Sequence, residues 1–336
     1  DYELQITPET IHLMRQAASW LDQVSPERQR DELFRILEGR NPRASLEILE
    51  RIGALQMLLP EVVAMKGVEQ AAPHIYDVWT HTLEVVKGLT MILATLSEEY
   101  DPETASSLML GLVSLRLGRY RQALEQHLGE QLNPDRSLRA LLFLAGLYHD
   151  SGKPACRQVD EQGRTRFLGH DQEGEQRIEE RALALRLSNV EIERSRLIVR
   201  HHMRPFLLGQ TEGLPTRKAI YRFFRDTGAA GVDICILSLA DMLATYGTTL
   251  RQEDWVHHLD VVRSLLEAWW ENPQEQIAPP PLVDGNALMK ALQLSPGPII
   301  GQLLEAIREG QATGTVKTKE QALGLAQHIT EGLNQG

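Results

Sequence analysis

The sequence predicts an all-α protein, and three observations predict it. Apolar residues recur at intervals of three and four, β-branched alternation hardly occurs, and capping residues followed by proline mark one helix start after another. A chain of 336 residues has room for about two domains and a sizeable buried core.

The elements follow in order. Thr7-Pro8, Ser25-Pro26 and Asn41-Pro42 each set a capping side chain before a proline at the first helical position, where its missing N–H costs nothing. Three short helices are therefore expected within residues 8–59. They pack through Leu33, Ile36 and Leu37 and through Leu46, Ile48, Leu49 and Ile52. A histidine-rich region runs over 74–270, its helices broken at SEEYDPET (97–104) and GEQLNPDR (129–136). ENPQEQIAPPP (271–281) reads as a linker, since consecutive prolines cannot continue a helix. In the tail, Thr318 and Gln321 suit a capping box, and Gly297 and Gly301 in GPIIGQLL suit close helix packing better than a phosphate. The chain thus divides into 1–73, 74–270 and 271–336, without internal repeats.

Cys156 and Cys235 lie far apart, the second inside the apolar ICILSLADMLA, which argues against a disulfide framework and for a reducing cytoplasm. No run approaches the ~18 apolar residues of a membrane span, and the amino end carries no signal pattern. The sequence opens at Asp1 rather than Met, which reads as a fragment with an upstream part elsewhere. A net charge of −11 excludes a nucleic-acid binder that relies on overall charge. Local basic clusters remain in RLGRYRQ (116–122), ERSRLIVRHHMRP (193–205) and TRKAIYRFFR (216–225). Their simplest reading is solvated helix faces. As a group flanking one site, Arg204, Arg217, Lys218 and Arg222 become candidates for phosphate or RNA contacts.

The chemistry concentrates in LLFLAGLYHDSGKP (141–154), where an apolar helix ends in His149, Asp150, Gly152 and Lys153. Burying an unpaired carboxylate costs several kcal/mol, so Asp150 needs a cation, a hydrogen-bond network or a metal. Gly152 allows a turn, and Lys153 puts a positive charge nearby, suited to a phosphoryl oxygen. Asp241 is a second anomaly, set between Leu239 and Met242 on an apolar helix. His81 in DVWTHTLEVV is a third: Val78, Val85 and Val86 turn its face to the core while Asp77 caps the helix. A lone histidine there would more often be a satisfied core residue. Together His81, His149, Asp150 and Asp241 form a mixed imidazole and carboxylate set suited to Mn, Fe, Co, Ni or Zn, and more weakly to Mg. His170 and one of His201 or His202 could hold a second ion with Asp150 bridging, or contact a substrate phosphate.

This order of ligands resembles the HD-domain superfamily of metal-dependent phosphohydrolases, whose HDxGK form HDSGKP matches. The resemblance implies His81 as first ligand, His149 and Asp150 as the pair, His170 with His201 or His202 as second-site ligands, and Asp241 as the last. It also implies catalytic roles for His149, Asp150 and Lys153 and a cofactor of one or two divalent ions.

The flanks narrow the family. SPERQRDELFRIL (25–37), NPRASLEILERIGALQMLLPEV (41–62), MKGVEQ (65–70) and residues 284–323 resemble the tRNA nucleotidyltransferase (CCA-adding) and poly(A) polymerase family. Glu27, Arg28 and Glu32 match its neck motif ERxxxE. Residues 1–73 would then be neck and body, 74–270 an HD domain, and 271–336 a linker with a helical tail. The family's catalytic head and its base-selecting EDxxR motif find no match, and DELFR (31–35) fits the neck helix better. Residues 1–336 are therefore not expected to add nucleotides by themselves. The expected function is an RNA-processing protein whose HD site hydrolyses phosphate esters such as 2′,3′-cyclic phosphates or RNA 3′ ends. The expected partners are tRNA or small nucleotides, with no membrane. The alternatives are a stand-alone nucleotide phosphohydrolase and a non-catalytic tRNA-binding module.

Overall fold

The structure is a computed structural model that describes residues 6–97, 107–134, 136–211 and 213–333. Among the described residues it is all-α apart from one short antiparallel hairpin, Gln158–Val159 with Thr165–Arg166, and an isolated bridge between Asn133 and Arg136. The helices are α1 (Pro8–Ala18), α2 (Pro26–Glu38), α3 (Pro42–Arg51), α4 (Ala54–Leu58), α5 (Pro60–Val63), α6 (Val78–Thr95) and α7 (Leu108–Leu117). There follow α8 (Arg121–Gly129), α9 (Leu138–Tyr148), α10 (Lys153–Cys156), α11 (His170–Ala184), α12 (Asn189–His201) and α13 (Arg204–Gly209). The last are α14 (Arg217–Thr227), α15 (Ala230–Tyr246), α16 (Gln252–Trp270), α17 (Pro273–Gln276), α18 (Gly285–Leu292), α19 (Pro298–Thr313) and α20 (Lys319–Leu333).

Two compact units emerge. One comprises Asp1–Pro205 with Val232–Leu259, the other Phe206–Gly231 with Asp260–Gly336. In the first, every residue of α9 from Leu138 to Tyr148 except Arg139 is buried, which makes it a core helix rather than an amphipathic one. The second has its own core of Val283, Leu288, Leu303, Ile307, Val316, Ala322 and Ala326. Residues 230–249 are long and apolar enough to cross a membrane by length and composition, a segment that a search for uninterrupted apolar runs passes over. With 78% of its apolar 18-residue stretch buried, it is a core helix.

The amino-terminal helices show where local signals hold and where they fail. Thr7 and Asn41 accept from the amides of Thr10 and Ala44 as caps, whereas Ser25 occupies its cap position without a side-chain bond. Residues 8–59 hold more than the three helices expected, because Gly53 at φ 80° ends α3 and starts α4, and a 3-10 turn covers Ser19–Gln23. Leu33, Leu37, Leu46 and Ile52 are buried, but Ile48 faces solvent at 41% exposure; Phe34 takes a core place. Asp77 caps α6 through the amide of Thr80, and Thr318 with Gln321 form the reciprocal box ahead of α20. The break at 97–104 falls almost wholly outside the described residues. Close packing does not explain Gly297 or Gly301, since a Cβ at either would meet nothing within 4 Å.

Candidate metal centre

Three core helices converge on the centre, and small residues let them. A Cβ on Gly88 of α6 would stand 3.2 Å from Ala240 Cα on α15, and one on Gly146 of α9 would stand 3.0 Å from Leu89 Cδ1 on α6. That approach brings together His81 from α6, His149 and Asp150 just past the end of α9, and Asp241 from α15. His81 Nε2 lies 3.0 Å from Asp241 Oδ1 and 3.5 Å from Asp150 Oδ2. His149 Nε2 lies 3.2 Å from Asp150 Oδ2 and 3.4 Å from His81 Nε2.

The other carboxylate oxygen of Asp150 faces a second set. His170, the first residue of α11, places Nε2 3.6 Å from Asp150 Oδ1, and His202, directly after α12, places its Nε2 at 3.9 Å. The two imidazole nitrogens stand 3.4 Å apart. His81, His149 and Asp150 thus form one potential ligand group and Asp150, His170 and His202 another, with Asp150 common to both.

Gly152 is needed here for space rather than for its backbone freedom, since its φ of −76° is open to any residue. A Cβ there would fall 2.1 Å from the carbonyl oxygen of His170 and 2.7 Å from the amide nitrogen of Gly174. The turn after Asp150 can therefore sit against the first turn of α11 only without a side chain.

Three of the histidines share one arrangement. Nδ1 of His149 donates to Gly146 O at 2.7 Å, Nδ1 of His170 to Phe167 O at 2.8 Å, and Nδ1 of His202 to Val199 O at 2.7 Å. A proton held on Nδ1 leaves Nε2 as a lone-pair donor aimed at the centre, the arrangement by which outer partners orient metal-binding imidazoles. Thr245 donates to Asp241 Oδ1 at 3.3 Å. His81 Nδ1 and Asp150 Oδ2 are buried and find no hydrogen-bond donor or acceptor in proper geometry among the described residues. Asp150 Oδ2 does have the Lys153 ammonium 2.7 Å away as an ion pair. Buried imidazole and carboxylate donors held in this way suit a divalent transition metal better than an all-oxygen calcium site.

The electrostatics agree with a cation-seeking site. Burial works against the charged form of Asp150, yet His149 and Lys153 hold its carboxyl well below the usual range. Asp241 is likewise lowered, burial being outweighed by its bond to His81. Burial also opposes a charge on His149, but Asp150 and Asp241 raise its pKa. His202 is pushed down to about 4 by burial and by His149 and His170, so it is a neutral imidazole near pH 7.

The remaining candidates lie elsewhere. His201 is half-buried at the end of α12 and belongs to neither ligand group. Arg204 opens α13, two residues beyond His202. Arg217, Lys218 and Arg222 are on α14 in the other unit, engaged with α19 and its surroundings. Arg222 forms a forked pair with Glu309 at 2.7 and 3.0 Å, Lys218 reaches the same carboxylate at 3.0 Å, and Arg217 donates to Ala312 O at 2.9 Å.

Two neighbours were not among the site residues expected from the sequence. Gln70 Oε1 accepts from Lys153 Nζ at 2.6 Å, and the His74 ring meets His81 edge-on with centroids 5.1 Å apart. Both come from the irregular segment before α6. The spacing of His74 from His81 by seven residues was visible, but no helical register connects a loop residue to a helix face.

Comparison with known proteins places this geometry. Residues 78–245 match the HD domain, and residues 3–65 match the probable RNA and SrmB-binding site of polymerase A. The chain is 32% identical to a CC-adding tRNA nucleotidyltransferase of Thermus thermophilus over 298 residues, 88% of this chain and 55% of that protein. It is 29% identical to an A-adding tRNA nucleotidyltransferase of Deinococcus radiodurans over 333 residues, 97% of this chain and 64% of that protein. A multifunctional CCA protein of Neisseria gonorrhoeae is 41% identical over 104 residues, 30% of this chain and 25% of that protein. The chain therefore spans between half and two thirds of the length of the first two relatives. With the HD domain matched over half of its residues and the polymerase A segment ahead of it, the chain belongs to the HD-bearing tRNA nucleotidyltransferase and poly(A) polymerase family.

Proposed function

We propose that the chain is the neck, body and HD part of an RNA-processing protein of the bacterial cytoplasm, and that its HD centre is a metal-dependent phosphohydrolase. Its substrates are phosphate esters such as 2′,3′-cyclic phosphates or RNA 3′ ends. One observation carries this reading: two imidazole-carboxylate donor sets share Asp150, and three of their four histidines have Nδ1 tied to a carbonyl.

His81, His149, Asp150 and Asp241 would hold one ion, and Asp150, His170 and His202 a second. Such ions, when bound, polarise a phosphoryl oxygen and lower the pKa of water enough for attack at phosphorus near neutral pH. The chain's own groups do the rest. Asp150 turns one oxygen to each set. The Lys153 ammonium, held by Asp150 and Gln70, keeps a third N–H for a phosphoryl oxygen and neutralises charge that builds there. His74, lowered to about 4 by burial and Lys153, is a neutral imidazole at the edge of the site. Arg204, the first residue of α13, would be the arginine that helps neutralise the same phosphate if its side chain turns toward the centre.

The test is hydrolysis by metal-stripped protein resupplied separately with Mn, Co, Ni, Fe, Zn and Mg, using 2′,3′-cyclic AMP, p-nitrophenyl phosphate and tRNA ending in a cyclic phosphate. Metal-dependent turnover is expected. Turnover of small nucleotides with none on RNA would favour a stand-alone nucleotide hydrolase. The polymerase A match over residues 3–65 favours a second reading, an RNA-binding module in which the metal is structural. That reading requires tRNA binding without hydrolysis under any ion.

A further inference from the structure

Glu61 lies on α5, inside the segment matched to the polymerase A RNA-binding site, yet its carboxylate reaches α9 and α11, two of the helices that position the donor sets. Tyr148 donates its buried hydroxyl to Glu61 Oε2 at 2.9 Å. Arg181 donates from Nε to Oε2 at 3.2 Å and from Nη2 to Oε1 at 2.7 Å. Tyr148 is the last residue of α9 and immediately precedes His149 and Asp150; Arg181 lies on α11, whose first residue is His170.

This bridge spans the contact on which the second donor set depends. A Cβ on Gly174 of α11 would lie 3.4 Å from Tyr148 O and 3.6 Å from His149 O, so the end of α9 and the first turns of α11 touch through backbone. Sliding one against the other changes the 3.6 Å between Asp150 Oδ1 and His170 Nε2 directly. A charge-assisted, forked bond from a mostly buried arginine resists that sliding more than apolar contact does, because its geometry is directional. The side chains of Arg181 and Glu61 are 18% and 21% exposed, so water competes little.

We propose that Glu61 is a positioning residue that sets the separation of α9 from α11, and so ties the RNA-binding segment to the donor set of Asp150, His170 and His202. This rests on the reading that those residues hold a metal ion. Displacing the helices of this segment near Glu61 would then be felt at the second set before the first.

The test is a Co(II) titration of the metal-stripped full chain, followed by visible absorption, for wild type, E61Q, Y148F, H170A and H149A. The component lost in H170A reports the second set, and that lost in H149A reports the first. E61Q keeps the shape and one acceptor but loses the charge; Y148F removes only a hydroxyl, so at least one variant should fold. Both should weaken the H170A-sensitive component by about tenfold, within the range seen when outer partners of ligands are removed, and leave the other unchanged. Wild-type behaviour in both variants would overturn it, as would equal weakening of both components, which marks general destabilisation. If the wild type binds no Co(II), the metal reading itself fails, and H170A will then match it too.

Discussion

Gly152→Ala places a methyl carbon 2.1 Å from the carbonyl oxygen of His170, 2.7 Å from the amide nitrogen of Gly174 and 2.9 Å from Glu173 Cβ. Two of those obstacles are backbone atoms, so no rotamer change relieves them. Ordinary contact needs a separation larger by about 1 Å or more, which must come from moving the first turn of α11. His170 moves with it, away from Asp150. Overpacking of this kind costs about 1–3 kcal/mol, and in a unit of this size each kcal/mol lowers Tm by about 2–4 °C. The expected result is a lower Tm together with loss of the Co(II) signal that H170A also removes. Gly301→Ala is the control: a Cβ there meets nothing within 4 Å, and alanine in a helix should stabilise by about 0.5–1 kcal/mol. A G152A protein with wild-type Tm and wild-type Co(II) binding would refute the argument that the glycine is there for space.

His202→Ala should weaken Co(II) binding by about 10-fold or more while His201→Ala leaves it unchanged, since only His202 faces Asp150; equal effects would contradict the assignment. Glu191→Ala should lower stability by about 3 kcal/mol in urea unfolding, because it leaves Arg136 buried without its forked partner at 2.6 and 2.9 Å and removes half of the capping box with Ser188. His258 is buried against Ser238, and burial lowers it from 6.5 to about 4. The unfolded chain therefore takes up the proton first, and stability is lost as pH falls through 6.5 toward 4. The loss from this group is about 2 kcal/mol at pH 5, and His258→Asn in metal-stripped protein should flatten the slope between pH 7 and 5 accordingly.

Buried polar residues on apolar helices were the most legible part of the chain. His81, His149, Asp150 and Asp241 stand out because each breaks an apolar face where an unpaired polar group is costly, and the structure brings the four to one place. Burial also distinguishes His202 from His201, a choice that adjacent residues in one sequence leave open. What stayed hidden depends on contacts between distant segments. Gly152 reads as a turn residue until the carbonyl of His170 is seen against it. Glu61 is one acidic residue among many until Tyr148 and Arg181 converge on it from 87 and 120 positions away. The basic face of α14 suggests RNA, yet its charges meet Glu309, which composition cannot pair with them. Ile48 shows the converse, an apolar residue at helical spacing that the helix turns to solvent.

If Asp150 serves two donor sets of a working hydrolytic centre, its loss must weaken metal binding at both and abolish turnover. The most direct measurement titrates Co(II) into metal-stripped wild type and Asp150→Ala while recording hydrolysis of 2′,3′-cyclic AMP alongside visible absorption. Turnover should rise with bound Co(II) in the wild type, and D150A should lose turnover with both spectral components weakened. Hydrolysis that persists in D150A, or Co(II) binding that D150A leaves intact, would contradict it.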